Sequence, residues 1–292
     1  MELDLDDPVV ARASVHHVLH ERSLLVVYQP IMDHRRHAIF GYEALTRPVV
    51  DGQMLPPDRW FRAAYENRRA YAADLLALTC IAHDVAALPD LGRSQPLFVN
   101  VMPSTLRHPS LLTRLARLVG QGLIVPEQWV FEITEHIPYD PLTLVEPIRW
   151  LTALGFRVAV DDFGTPGLGL DVIRDLEPTW VKIDRSRIAG LAASPAQRHW
   201  VRALVRHTGA EGATLIAEGV EDPRDVIALR RLGISLSQGF HWAVPRPGDQ
   251  LVVGSDDTDR PPTGAGAPTV RASLLGRPPR ALVGSDPLIR RP

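Results

Sequence analysis

The side chains best suited to chemistry are acids, amides and one amine, each at or near the end of a short apolar run. Glu43 sits in Gly41-Tyr42-Glu43-Ala44-Leu45, Asn100 closes Leu97-Phe98-Val99-Asn100, and Glu132 lies in Trp129-Val130-Phe131-Glu132-Ile133. Asp161 and Asp162 are adjacent, Glu218 ends Thr214-Leu215-Ile216-Ala217-Glu218, and Gln238 precedes Gly239. Lys182, in Trp180-Val181-Lys182-Ile183-Asp184, is the only lysine among 32 basic residues. An arginine stays protonated at any working pH, whereas a lysine pKa moves with its surroundings. Carboxylates gathered in one place repel and are costly to bury unpaired, and one ammonium offsets one charge. The remainder implies bound cations. Carboxylate and amide oxygens are hard ligands that suit Mg²⁺, Mn²⁺ or Ca²⁺ rather than zinc. Adjacent aspartates at a strand end can serve two ions, an arrangement that suits phosphoryl chemistry.

These residues need a scaffold that brings separate segments to one place. Leu24–Tyr28 reads as a first strand, followed by β-rich runs at Ala38–Thr46, Leu97–Val101, Trp129–Thr134, Arg157–Asp161, Trp180–Asp184, Thr214–Glu218 and Ile234–Phe240. Amphipathic stretches at Leu111–Val119, Leu142–Leu154, Ala196–His207 and Asp225–Leu232 lie between several of them. Strands alternating with helices imply a parallel sheet covered on its outer face. Eight strands over this length predict an α/β fold, a (β/α)₈ TIM-like barrel, whose functional residues gather at the C-terminal strand ends. Met32–His37 is too short for a crossover helix, so the first two strands should form an antiparallel hairpin. Strand alternation puts Trp180, Lys182 and Asp184 on one face.

Blander readings exist for single residues. Asp161-Asp162 before Gly164-Thr165 could be a turn, and Asn100 before Pro103 could cap a helix. A chance run of such residues on strand after strand is much harder to accept. A formal net charge of −2 and a pI near 6.6 give no basic excess for nucleic acid or an anionic membrane. The acidic N-terminus and short apolar runs predict neither a signal peptide nor a membrane span. The single Cys80, in an apolar helical stretch, excludes a disulfide framework and fits a reducing cytoplasm. His16, His17, His34 and His37 lie among polar residues and read as solvated rather than as zinc ligands. Asp7-Pro8 starts a helix over residues 8 to 21. Residues 1–23 form an N-terminal helix and linker, 24–246 the barrel, and 247–292 a Pro/Gly/Arg-rich tail expected to be disordered.

The same residues sit in recognisable words. Tyr28-Gln29-Pro30-Ile31, Glu43-Ala44-Leu45-Thr46-Arg47, Asn100-Val101-Met102-Pro103 and Glu132-Ile133-Thr134-Glu135 resemble the EAL-domain family, the cyclic-di-GMP-specific phosphodiesterases. So do Asp161-Asp162-Phe163-Gly164-Thr165, Lys182-Ile183-Asp184-Arg185-Ser186, Ala217-Glu218-Gly219-Val220-Glu221 and Gln238-Gly239-Phe240, in family order. The resemblance implies hydrolysis of cyclic-di-GMP to linear 5′-pGpG with Mg²⁺ or Mn²⁺. It implies that Glu43, Asn100, Glu132 and Asp161 bind one metal and that Asp161 and Asp162 help hold a second. Lys182 would be the general base or would orient the attacking water, with Glu43 and Glu218 beside it. Arg47 would meet a phosphate, Gln29, Gln238 and Asp184 would contact substrate, and Glu135 would brace the loop after strand five. Surrounding carboxylates raise a lysine pKa, so a protonated, electrostatic Lys182 is the other form of that role.

One stretch departs from the family pattern. Where a glycine, an aromatic and two serines usually follow Thr165, the chain reads Pro166-Gly167-Leu168-Gly169. Proline removes a donor and fixes φ, and both hydroxyls are gone. The family couples this loop to its dimer interface, so a homodimer is expected and its coupling to turnover is in question. Three readings follow: an active phosphodiesterase, a cyclic-di-GMP receptor with little turnover, and a protein-interaction regulator. With about 23 residues before the barrel, a stand-alone domain regulated by a partner protein, by dimerisation or by expression is expected.

Overall fold

A computed structural model describes residues 3–88, 91, 95–134, 137, 139–165 and 169–251. The strands are β1 (Leu24–Asp33), β2 (Ala38–Val50), β3 (Gln53–Met54), β4 (Leu97–Val101), β5 (Trp129–Ile133), β6 (Arg157–Phe163), β7 (Trp180–Ile183), β8 (Thr214–Ala217) and β9 (Leu236–Ser237). The helices are α1 (Pro8–Glu21), α2 (Pro57–Glu66), α3 (Ala70–Ala86), α4 (Pro103–Leu106), α5 (Leu111–Gly120), α6 (Val145–Ala153), α7 (Asp171–Leu176), α8 (Arg185–Ile188), α9 (Pro195–Glu211) and α10 (Pro223–Leu232). In order around the sheet the strands run β1-β9-β8-β7-β6-β5-β4-β2, and β1 also pairs with β2, which closes the barrel. β3 is a two-residue extension on β2.

β1 runs antiparallel to both neighbours, β2 and β9, and the pairings from β2 through β4 to β9 are parallel. The expected hairpin is present, but β1 continues to Asp33 and leaves a shorter turn than Met32–His37. Three helices open with a capping side chain followed by proline. Asp7, Ser194 and Asp222 accept from Val9, Gln197 and Arg224 amides ahead of Pro8, Pro195 and Pro223. Gly212 and Gly233 end α9 and α10 in the left-handed region, where glycine carries no Cβ penalty.

The outward strand faces carry Val99, Phe131, Val160, Val181 and Leu215, which pack into one core under the helices. A second core joins α1, α2 and α3 around Val15, Trp60 and Leu76. Cys80 is buried there, and burial pushes its thiol up to about 11, so it is a packing residue. His34 corrects its expectation. It is 2% exposed, with Nε2 2.7 Å from the Ile234 carbonyl oxygen and Nδ1 3.3 Å from Ser237 Oγ. The turn after β1 folds this ring under β9, and burial pulls its pKa down. His16 and His37 are exposed and His17 is half-buried. The chain continues past 246 through a 3-10 turn at Gly248–Gln250, and Leu251 packs against the main core. The tail from 252 lies outside the described residues. Among the described residues no helix is long and apolar enough to cross a membrane.

Candidate metal centre

The site follows from a two-residue step along each strand. Ile31, Phe98, Val130, Ala159, Trp180, Ile216 and Leu236 form one buried cluster that plugs the barrel interior. Side chains of one strand face share a period of two. Two residues beyond the plug, on the same faces, stand Asn100, Glu132, Asp161, Lys182, Glu218 and Gln238. On antiparallel β1 the order inverts, and Gln29 precedes Ile31. Glu43 reaches the same layer from β2.

Alternation alone would turn Asp162 away from Asp161. The β6–β7 register breaks here: Val160 faces Val181, but Phe163 faces Ile183, so two aspartates oppose Lys182 alone. Asp162 takes φ +50, the left-handed turn of a bulge. Oxygens of Asp161, Asp162 and Glu218 then lie within 4.8 Å of one another.

Lys182 is 1% exposed and is ringed by acids. Its Nζ lies 2.7 Å from Glu218 Oε1, 2.8 Å from Glu132 Oε1, 3.0 Å from Asp161 Oδ1 and 3.6 Å from Glu43 Oε2. Amides hold Glu43 in place. Asn100 Nδ2 donates to its Oε1 at 2.9 Å, and Gln238 Nε2 donates to its Oε2 at 2.6 Å and to Gln29 Oε1 at 2.8 Å. Gln29 Nε2 in turn donates to the Ala243 carbonyl at 2.9 Å.

With these side chains alone, burial disfavours the Lys182 ammonium, but Asp161, Glu132, Glu218 and Glu43 outweigh it and hold its pKa well above the usual lysine range. Burial lifts Glu132 well above the usual carboxylate range; Lys182 offsets part of this, and Glu43 and Asp161 add to it. Glu218 is raised in the same way. Burial also disfavours the Glu43 carboxylate, yet Lys182 and the amide donors win, and its pKa falls.

Among the described residues, both oxygens of Glu132 and Oδ1 of Asp161 are fully buried, and no amide or hydroxyl donates to them. The cation nearest to them is the Lys182 ammonium, 2.8 Å from Glu132 Oε1 and 3.0 Å from Asp161 Oδ1. Four carboxylates therefore share one ammonium, Asp162 stands beside two of them, and acceptor atoms are left over. Divalent cations on oxygen ligands fit that donor set.

Other expected site residues are placed as follows. Arg47, on the Glu43 face of β2, is half-buried, and its Nη1 donates to the Thr46 carbonyl at 3.0 Å. Asp184 is the N-cap of α8: its Oδ1 accepts from the Ser186 amide at 2.9 Å and from the Ser186 hydroxyl. Asn100 is not a helix cap. The Met102 amide at the start of α4 donates instead to Asp74 Oδ2 at 2.8 Å. Asp74, on α3, is 2% exposed, and burial lifts its carboxyl to about 7. Sequence reasoning missed it; the available signal was an acid inside the apolar stretch Ala72–Cys80. Glu135 lies outside the described residues.

Comparisons with known proteins show the family and the fold. The family model for the EAL domain matches residues 12–245. The cyclic di-GMP phosphodiesterase RocR of Pseudomonas aeruginosa is 30% identical over 227 residues, 75% of this chain and 57% of that protein. The PaMucR phosphodiesterase in complex with c-di-GMP superposes with a TM-score of 0.74 at 25% identity, over 82% of this chain and 98% of that one. A manganese and cy-diGMP complex of Klebsiella pneumoniae BlrP1 gives a TM-score of 0.67 at 25% identity, over 77% and 56%. The chain spans 36% and 32% of the length of relatives in Azorhizobium caulinodans and Escherichia coli.

Proposed function

The chain belongs to the EAL-domain family, and we propose that it hydrolyses one phosphodiester bond of cyclic-di-GMP, releasing linear 5′-pGpG. Mg²⁺ or Mn²⁺, when bound as a pair, neutralises charge at the attacked phosphate and makes water a better nucleophile. Glu43, Glu132 and Asp161, with the Asn100 amide oxygen, hold one ion. Asp161, Asp162 and Glu218 hold the other. Lys182 keeps its proton at Nζ, spaces the carboxylates around it and orients the attacking water by donation. Gln238, held by Gln29, fixes the Glu43 carboxylate, and Gln238, Gln29 and Asp184 meet substrate. Arg47 meets a phosphate, where a guanidinium offers two parallel donors.

The observation that carries this reading is the buried Glu132, which receives no amide or hydroxyl donor and shares its one ammonium with three more carboxylates. It is supported by the cyclic-di-GMP named in the PaMucR and BlrP1 complexes and by the manganese in the latter. Purified protein incubated with cyclic-di-GMP and Mg²⁺ or Mn²⁺ should form linear product, and Glu43→Ala should not. No product with any divalent ion would defeat the reading. Binding without product would instead favour a receptor, the alternative that Pro166-Gly167-Leu168 keeps open.

A homodimer is part of the proposal. Leu142, Trp150 and Leu154 are 66%, 50% and 48% exposed before, on and just after α6, which gives an apolar surface for self-association. A monomer in sedimentation velocity at micromolar concentration would remove it.

A further inference from the structure

The bulge that aims Asp162 ends in a turn anchored from outside the site. Thr165 closes it locally, with its amide and hydroxyl both donating to the Asp162 carbonyl, at 3.3 and 3.1 Å. The Asp184 amide donates to the Phe163 carbonyl at 3.1 Å. The next carbonyl, that of Gly164, accepts from Arg187 Nε at 2.8 Å. Arg187 belongs to α8, the short helix that follows Lys182 and Asp184. Its guanidinium carbon lies 4.9 Å from the centre of the Trp200 ring on α9. The same ring lies 6.4 Å from that of Phe163.

Gly164 is what lets the two large side chains close on the backbone. Its φ is +111, and a Cβ there would meet Arg187 Cγ at 2.8 Å and Trp200 at 3.0 Å. A planar guanidinium is suited to this place, since it stacks on an aromatic face while an edge N–H donates. Where the resembled pattern has two serines after this turn, the chain has none.

We propose that Arg187 is a positioning residue. Through the Gly164 carbonyl, and braced by Trp200, it fixes the turn that presents Asp162 to the second cation. The inference rests on the two-ion reading of the site. Arg187 lies on the far side of the turn and acts on the ion through the backbone that carries Asp162. Losing it should therefore loosen one ion and spare the ion held by Glu43, Asn100 and Glu132.

The test uses the full chain with Arg187→Met and Arg187→Lys. Methionine keeps an apolar stem over Gly164 and Trp200 and removes the donor. Lysine keeps the charge but has no edge N–H to donate while stacked. Three measurements are compared with the parent: amide exchange of the peptide covering residues 161–165, Mn²⁺ binding to the metal-free protein by calorimetry, and kcat and KM for cyclic-di-GMP. In Arg187→Met, exchange should quicken and the weaker class of Mn²⁺ should lose about tenfold in affinity, as when a group supporting a metal ligand is removed. The tighter class should hold, kcat should fall more than KM rises, and Arg187→Lys should lie between Met and parent.

Exchange and weaker-class affinity within twofold of the parent would overturn the proposal. So would an equal loss from both Mn²⁺ classes, which marks general loosening. Parent protein that binds a single Mn²⁺ would sink the two-ion reading. The exchange measurement then decides alone whether Arg187 pins the turn.

Discussion

The lower and upper interior layers of the barrel come from the same strands and point the same way, two residues apart. The lower layer, with Phe98, Val130, Trp180 and Leu236, is closed and apolar. In it Phe98 and Trp180 meet edge to face at 5.2 Å. The upper layer, with Asn100, Glu132, Lys182 and Gln238, is polar and more acidic than its one ammonium can balance. The lower layer stabilises the fold by removing apolar surface from water. The upper layer costs the fold, because charge is buried with too few partners. Stability and chemistry thus occupy neighbouring rungs of one ladder, and they separate under mutation.

Four measurements would break or sharpen that contrast. The largest effect belongs to Glu43→Ala, which should cut turnover on the order of 10³-fold by removing a charge that works on the transition state. Its melting temperature in chelator should fall, since Glu43 is held by Lys182 and its loss leaves the Asn100 and Gln238 amides without this acceptor; a melting temperature equal to or above the parent's would show that repulsion among the carboxylates dominates. Next, Lys182→Met should destabilise the protein in chelator by about 3–5 kcal/mol, the usual result of stripping one partner from buried charges. The loss should be greater at pH 8 than at pH 5. Glu132 and Glu218, with folded pKa values raised, bind more protons folded than unfolded, so stability falls as pH rises. Equal urea midpoints for parent and variant would refute the lysine's role as counter-charge.

In the lower layer, Phe98→Ala should also cost about 3–5 kcal/mol, through lost burial and a cavity. Turnover per folded molecule should fall far less than in Glu43→Ala. A comparable drop in turnover would show that the layers are not separable. The smallest effect concerns Asp74, whose carboxyl is raised to about 7. A raised acid binds its proton more tightly when folded, so its contribution falls as pH climbs from about 4 to 7 and stays low above that. Asn can still accept from the Met102 amide. Asp74→Asn should therefore gain on the parent with rising pH, by a few kcal/mol at most. A difference between the two that is flat from pH 5 to 8 would show that Asp74 does not titrate there.

Much of this was legible before any coordinates. Short β-rich runs ending in acids or amides gave the strands, and the two-residue period gave the shared face of Trp180 and Lys182. What escaped was set by contacts distant in sequence. The Asp161–Asp162 bulge needs a register shift against β7, which no local pattern records. His34 looks solvated among charges, but its partners Ile234 and Ser237 lie some 200 positions away. Asp74 reads as one polar residue in an apolar helix until α4 is seen to start on it. Arg187 is indistinguishable from its neighbour Arg185 until Gly164 and Trp200 close around it.

The reversed first strand also fixes the order of assembly. β1 hydrogen-bonds to β9 through Met32–Ser237 and Asp33–Leu236, contacts that span most of the sheet's sequence. A nascent polypeptide emerges with one flank of β1 bare, and that flank cannot be covered until Leu236 and Ser237 have been synthesised. Gln238, which steadies Glu43, arrives with that final seam. Truncation before residue 236 would thus leave the cylinder open and the acidic ring slack in one stroke.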